Sequence, residues 1–371
     1  MQTYRVLVIG GYGFFGSRLV ERLAHRSGLH VIIAGRSLSQ GRALADSLRP
    51  KALAEVSGVK LDVFAPDFAS QLADLAPSVV VHTCGPFQGQ QYRVAQACLL
   101  AGAHYIDLAD GREFVCGISS LNSAASAAGL AVISGASSVP ALSSAAADHL
   151  ARGLSHVRSV DIGISPGNRT ERGLSTVQSI LSYCGKQLPE AGGPRSFGWA
   201  GSRRHQYPAP VGSRLLSPCD VPDLALLPGR YPGRPSVTFG AGLELEFLHR
   251  GMNVMASMTR MGLVPDWSRH AELLKTAADW FKTFGTSAGA MHVTVQGDLA
   301  QGGDRTRTWH LLATEGDGPY VPTLAATALI RKLQGGNTSF IGARPCVGVL
   351  GLEDFLREVD GLNITLGEEL S

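Results

Sequence analysis

A glycine-rich turn separates the first apolar run of this chain from its first helical stretch: Gly10-Gly11-Tyr12-Gly13-Phe14-Phe15-Gly16. Gly11, Gly13 and Gly16 have the spacing G-x-G-x-x-G. In such a turn the first glycine makes the tight bend and the second lets a pyrophosphate approach the backbone. The third lets helix and strand pack closely. The unpaired amides that open the following helix then face the phosphates, where the helix dipole favours anions.

The motif has force only between a strand and a helix, and the flanking pattern supplies that setting. Short apolar runs at 4–9, 30–34, 59–61, 79–82, 104–108 and 130–134 read as strands. Helical periodicity fills 15–25, 40–48, 68–75, 91–101 and 118–128 between them. Gly102 and Gly129 follow two of these helices directly, as C-terminal caps do. Six strands alternating with helices require right-handed crossovers, so residues 1–150 are expected to form an α/β, doubly wound (Rossmann) parallel sheet.

Beyond 154 the rhythm changes. Residues 157–164 read as a strand, 185–235 are rich in Gly, Pro and Arg, and 237–239 and 243–247 alternate like strands. A helix is expected at 269–283 and a hairpin between 291–299 and 306–314, around Gln301-Gly302-Gly303-Asp304. A second, α+β domain at 151–317 follows from this, with a helix at 321–333 within a C-terminal segment, 318–371.

Composition removes other classes. With 44% hydrophobic and 17% charged residues in 371, the chain is not disordered. A net charge of +3 without basic runs argues against nucleic acid, and no uncharged apolar run reaches the ~18 residues of a membrane span. The six cysteines lack C-x-x-C spacing and read as reduced thiols, so a soluble cytoplasmic protein is expected. The apolar N-terminus mimics a signal sequence, but its glycine spacing and amphipathic helix fit a folded core better.

The end of the second strand should choose the cofactor. An acidic residue there accepts from the ribose hydroxyls of NAD, whereas this chain has Ala34-Gly35-Arg36-Ser37. Arg36 can stack on adenine and bridge a 2′-phosphate, with Ser37 and Arg42 as further donors, so NADP (NADPH) is expected. Asp62, next to Val63 after the third strand, reads either as an adenine contact or as a helix N-cap. Ligands in doubly wound sheets lie beyond the carboxyl ends of the strands. The Thr83-Cys84-Gly85-Pro86-Phe87-Gln88 loop and the 107–112 and 136–138 segments should therefore border the nicotinamide.

At these residues the chain resembles the saccharopine dehydrogenase-like family of NAD(P) oxidoreductases. The resemblance rests on GGYGFFG, AGR, LDV at 61–63, GPF at 85–87, ACLLAGAHYIDLADGREF at 97–114 and GASSVP. It is good over the first 150 residues, faint in the middle, and returns near Gly318-Pro319-Tyr320-Val321-Pro322-Thr323. It implies that 151–317 is the substrate domain and 318–371 a return to the nucleotide domain. It also implies hydride transfer to or from an imine or secondary amine of a small-molecule substrate. Relatives that bind amino acids often use a catalytic lysine. Here there are six lysines against 27 arginines, and Lys51 and Lys60, the lysines of the nucleotide half, lie far from the nicotinamide end.

Other templates fail. No tyrosine has a lysine four residues on, no G-x-x-x-x-G-K-[ST] occurs, and the histidines and cysteines have no metal-site spacing. Gly163-Ile164-Ser165-Pro166-Gly167 mimics a hydrolase elbow, but Pro166 lacks the amide its oxyanion hole needs. Asp110 heads the candidates for proton transfer, against a capping-box reading with Glu113. Cys84 is a candidate nucleophile for aldehyde oxidation, against an inert buried thiol. Trp199, Arg203, Arg204, His205, Tyr207, Tyr231 and Trp309 are pocket candidates, each read singly as core or surface. The expectation is an NADP(H)-dependent oxidoreductase and a homodimer without membrane insertion. C=C or C=O reduction, or a non-catalytic NADP-binding sensor, stand as alternatives.

Overall fold

The structure, a computed structural model, describes residues 3–188 and 195–370. Six strands occupy the first third: β1 (Tyr4–Ile9), β2 (Leu29–Gly35), β3 (Glu55–Lys60), β4 (Val79–His82), β5 (His104–Asp107) and β6 (Ala131–Ser134). They are followed by β7 (Leu154–Ser165), β8 (Arg203–Gln206), β9 (Ser213–Pro218), β10 (Ser236–Ala241), β11 (Gly289–Leu299) and β12 (Asp304–Ala313). The last two are β13 (Gly342–Pro345) and β14 (Ile364–Leu370).

The chain divides into two compact units. The first comprises 1–141 and 320–358. Its seven strands are all parallel, in the order β13-β6-β5-β4-β1-β2-β3. Strand order reverses between β1 and β4, which opens a crevice at the carboxyl ends of the central strands. Strands such as Val79–His82 and Ala131–Ser134 are buried throughout, because helices cover both faces of a parallel sheet. The edge strand β3 lies four residues earlier than its apolar pattern suggests. Paired on one side only, it is exposed at both ends, buries only Val56 and carries no continuous apolar run. The late helix Val321–Gln334 is buried along most of its length and packs against the first helix, Phe14–Ala24. Arg331 reaches the buried Glu358 at 3.0 Å, and Tyr320 donates to Glu21 at 2.6 Å.

The second unit, 142–319 with 359–371, holds a mixed sheet in the order β14-β12-β11-β7-β10-β9-β8. The β11–β12 hairpin pairs from Gly289↔Ala313 to Asp298↔Asp304, and β10 runs parallel to β7. The segment expected to return whole to the nucleotide domain divides. β13 extends the first sheet, whereas β14 pairs with β12 of the second. Leu243–Phe247 is no strand: a helix of 15 residues, Glu246–Arg260, begins inside it. Residues 189–194 of the Gly/Pro/Arg-rich stretch lie outside the described residues. Within this unit Glu244 is a largely buried staple. It accepts from the amides of Asn168 (2.6 Å) and Thr286 (2.9 Å) and pairs with Arg214 at 3.1 Å. Among the described residues, no helix is long and apolar enough to cross a membrane.

Candidate functional site

The glycine-rich turn closes the carboxyl end of β1 as the motif requires, with one change of role. The left-handed residue of the bend is Gly10 (φ +79°), not Gly11. A Cβ on Gly10 would lie 2.6 Å from the Cys84 sulfur and 2.8 Å from Thr83 Oγ1, so β1 and β4 meet across a glycine. Gly11 packs on the Val8 carbonyl and Ile33. A Cβ at Gly16 would come within 2.1 Å of the Gly10 carbonyl oxygen, which fixes the close approach of helix and turn. Gly13 is the extended N-cap of the first helix and is exposed; a Cβ there would meet only Gly10 backbone atoms, the carbonyl oxygen at 3.0 Å.

A glycine N-cap offers no side chain to the opening amides of the helix, so those of Phe14, Phe15 and Gly16 are left for an anion. Phe14 and Phe15 pack edge to face at 4.9 Å, and Arg18 lies over the Phe14 ring. The turn therefore fits the diphosphate of a dinucleotide: an open backbone, free amides and a favourable dipole.

Arg36 and Ser37 follow β2 directly. Tyr12 reaches across from the turn, its ring against Gly35 and its hydroxyl accepting from the Ser37 amide at 2.9 Å. The Ser37 side chain caps the next helix by accepting from the Gln40 amide. Arg36 is exposed, yet close enough to the crevice to act electrostatically on Cys84. Asp62 and Val63 sit at the end of β3, where Asp62 accepts from the Phe64 amide at 3.0 Å and so holds its own turn. It is not a helix N-cap; Asp67 occupies that position, because the helix starts only at Phe68. Val63 packs against the core.

The loop after β4 closes the crevice from the other side. Thr83 donates its amide (3.0 Å) and hydroxyl (2.9 Å) to the Ile9 carbonyl, tying this loop to the end of β1. The Gln90 side chain donates to the carbonyls of Cys84 and Pro86 at 2.9 and 2.7 Å, which shapes the Gly85-Pro86 bend. Phe87 is buried against His82 (5.2 Å) and Phe114 (5.3 Å), so it anchors the loop rather than lining its open face. Burial pushes the Cys84 thiol up to about 11, with Arg36 opposing weakly, so it stays protonated at neutral pH.

Asp110 lies on the next loop, half-buried, with the Gln88 amide 3.4 Å away. The helix behind it begins at Arg112 with Gly111 as N-cap, so the capping box with Glu113 does not form. Asp107, two residues after a buried tyrosine, holds this loop. Its Oδ1 accepts from the amides of Ala109 (3.0 Å) and Gly135 (2.8 Å) and from the Ser134 hydroxyl (3.0 Å). Burial raises its carboxyl to about 6 against the pull of those donors. The sequence indicates a polar cluster at 107–112 without separating the buried Asp107 from the half-buried Asp110. Strand parity is the available signal, since Tyr105 and Asp107 point to the same face.

A second polar group lies inside the other unit. His292 donates to Asp161 at 3.2 Å through Nε2, and its Nδ1 accepts from the Tyr207 hydroxyl at 3.0 Å. His205 stacks on His292 at 3.6 Å with rings 5° from parallel, and Arg203 pairs with Asp161 at 2.6 Å. His310 stands 5.7 Å from His205. Arg203, His205 and Tyr207 were visible in sequence as pocket candidates. Asp161, His292 and His310 were missed, because β7 brings Asp161 against the β11–β12 hairpin from 131 residues before His292. Trp199 and Trp309 are core residues, and Tyr231 donates to Asp148 at 2.7 Å.

Residues 6–133 match the family described as saccharopine dehydrogenase NADP binding domain. No curated protein matches the chain. Among solved structures, apo saccharopine dehydrogenase (L-Glu forming) from Saccharomyces cerevisiae is similar at TM-score 0.67 and 14% identity, covering 99% of this chain and 100% of that one. Homospermidine synthase from Legionella pneumophila, in complex with NAD, is similar at TM-score 0.58 and 12% identity, covering 99% and 91%. At such identities the likeness is one of fold. The domain match agrees with the turn and the crevice: residues 6–133 form a nicotinamide-dinucleotide-binding domain of the saccharopine dehydrogenase type, and the fold of the chain is similar to that of saccharopine dehydrogenase.

Proposed function

We propose that this protein is an NADP(H)-dependent oxidoreductase that transfers hydride to or from an imine or secondary-amine substrate. The observation that carries the cofactor preference is Arg36. It is an exposed guanidinium at the first position past β2, where an NAD-binding fold has a carboxylate. Gly13 and the amides of Phe14, Phe15 and Gly16 hold the diphosphate, and Arg36 with Ser37 receives the 2′-phosphate. When bound, the dinucleotide supplies or accepts the hydride.

The chain's own contribution is to orient, shield and move one proton. The Thr83–Phe87 loop, tied to Ile9, forms one wall of the crevice. In the reducing direction Asp110 delivers a proton to the substrate nitrogen as the adjoining carbon gains hydride; in the oxidising direction it takes that proton back. Asp107 is a positioning residue, fixing the loop that carries Asp110 through its three accepted hydrogen bonds. The protonated Cys84 thiol lines the crevice without acting as a nucleophile.

Rapid mixing of the protein and NADPH with imines, enals and ketones tests the reaction. Oxidation with imines above all others is expected; turnover of enals or ketones alone overturns the substrate class. Tight NADPH binding without oxidation by any class overturns catalysis in favour of a sensor. Arg36→Ala should weaken NADPH binding about 10- to 100-fold, given one charge-assisted phosphate contact, and leave NADH within about threefold. Equal losses for both cofactors would show the 2′-phosphate assignment to be wrong.

A further inference from the structure

Eleven large hydrophobic side chains are strongly exposed among the described residues, and seven of them fall between 247 and 284: Phe247, Val254, Met261, Leu263, Leu273, Trp280 and Phe284. Their arrangement is periodic. On the helix Glu246–Arg260 and its last cap, Phe247, Gly251, Val254, Met258 and Met261 recur at intervals of 4, 3, 4 and 3. That is the spacing of a helix–helix seam. The opposite side of the same helix is already occupied. His249 and Ala256 are buried, Asn253 donates to the Trp199 carbonyl at 2.8 Å, and Trp267 donates to the Met255 carbonyl at 3.0 Å.

The neighbouring surface belongs to the same face. Leu273 and Ala277 lie one turn apart on the helix Ala271–Asp279, Trp280 and Phe284 follow in the turns beyond it, and Phe281 reaches Phe247 through ring contact at 5.0 Å. This part of the chain is fixed in place: the Asn168 side chain donates to the carbonyls of both Phe281 and Phe284, at 2.7 and 2.9 Å.

We infer that this face of the second unit is a docking surface for a second copy of the chain, with the two Glu246–Arg260 helices antiparallel across a two-fold axis at Val254. Three observations select this occupant. The first is area: seven such side chains, each presenting roughly 100–150 Å² at these exposures, offer on the order of 800 Å², what one partner contributes to a stable interface. Typical monomers do not leave a patch of that size uncovered. The second is symmetry. The seam centres on Val254, so Phe247 of one copy meets Met261 of the other, and Gly251, beside which a Cβ would find open space, lets the backbones approach. The third is charge. Glu246 lies in the first turn and Arg260 in the last, so an antiparallel pairing sets opposite charges and opposed dipoles side by side, whereas a parallel one sets like against like. A lipid surface fits less well, because residues 246–284 carry five Lys or Arg against four Asp or Glu.

The test is light scattering and sedimentation on the full chain, with circular dichroism as the fold control. The wild type is expected to be a dimer, and Val254→Glu, at an exposed position, a folded monomer with dimer affinity reduced at least 100-fold. Under mild oxidation Val254→Cys should cross-link to itself, while Phe247→Cys should cross-link only when mixed with Met261→Cys, judged against the wild type's native thiols. A monomeric wild type would overturn the proposal. So would a dimer indifferent to Val254→Glu, or flotation of the monomer with anionic phospholipid vesicles. Because these variants lie outside the nucleotide unit, NADPH binding is read in parallel; its loss in the wild type would count against the proposed function and not against the interface.

Discussion

The two sheets solve the placing of polar groups in opposite ways. The parallel sheet of the first unit keeps its strands apolar and puts its working groups at the carboxyl edge. There they are mostly glycines and backbone amides, with a few side chains such as Thr83, Arg36 and Asp110. The mixed sheet of the second unit buries a hydrogen-bonded line of side chains, Asp161–His292–Tyr207, with His205 stacked against it. The first arrangement leaves a ligand something to bind. The second ties Asp161, His292 and Tyr207 to one another and so stiffens the fold that carries it. Function is therefore sought at the edge of one sheet, and stability inside the other.

The most severe way to break this contrast is Gly16→Val. A Cβ there already lies 2.1 Å from the Gly10 carbonyl oxygen, a backbone atom that cannot yield. The first unit should lose roughly 4 kcal/mol or more, as overpacking against backbone does, and cofactor binding with it. Urea unfolding and NADPH titration check both; a stable variant with normal affinity would show the turn to be looser than its geometry.

His292→Ala attacks the other side of the comparison. It leaves the Tyr207 hydroxyl without its acceptor and Asp161 with Arg203 and Thr238 alone, and should destabilise the protein by about 2 kcal/mol. Dinucleotide affinity should stay within twofold. If affinity falls with stability held, the histidine group is a binding site and the division of labour fails.

Gly13→Val sharpens the first half. It is exposed and its Cβ would meet only Gly10 backbone atoms, so the fold should survive while NADPH affinity drops at least 100-fold, about 2.7 kcal/mol. Unchanged affinity would refute the diphosphate assignment.

The smallest effect is that of pH. Burial lowers His205 to about 3 and His249 to about 4, and lowers His292 from its ordinary value. These bases are neutral in the fold and protonate more readily in the unfolded chain. The stability they lend is complete above 6.5 and is lost as pH falls from there through 4 to 3. Asp223, which burial raises to about 7, opposes this: its share is complete below 3.8 and lost as pH rises through 7. The lowered histidines, with the buried His82 at about 4 among them, outnumber the raised carboxyls Asp223 and Asp107, so unfolding stability should fall by on the order of 1 kcal/mol between pH 6.5 and 5. His205→Gln should flatten that slope, and an unchanged slope would place the sensitive groups elsewhere.

Much of the first unit was legible from local pattern, because buried parallel strands read as unbroken apolar runs and glycine caps mark helix ends. Val79–His82 falls where its pattern placed it, and Gly102 and Gly129 adopt the left-handed conformation their positions implied. What local pattern could not supply were roles that depend on a neighbour across space. Gly10 rather than Gly11 takes the positive φ, and Thr83 and Cys84 of the loop after β4 leave no room for a Cβ there. Asp107, not Asp110, gathers the loop amides, since only the tertiary fold buries one and leaves the other half-exposed.

By itself the sequence determined the doubly wound unit, its glycine turn and the arginine beyond β2, each encoded within a few consecutive residues by steric and periodic constraints. The tertiary structure alone decided that β14 completes the second sheet and that Leu243–Phe247 opens a helix. It also set His205 of β8 against His292 and His310 of the β11–β12 hairpin and left the stripe from Phe247 to Met261 uncovered. Pairing, burial and exposure are properties of what a residue meets after the chain has folded, and no short window of sequence contains them.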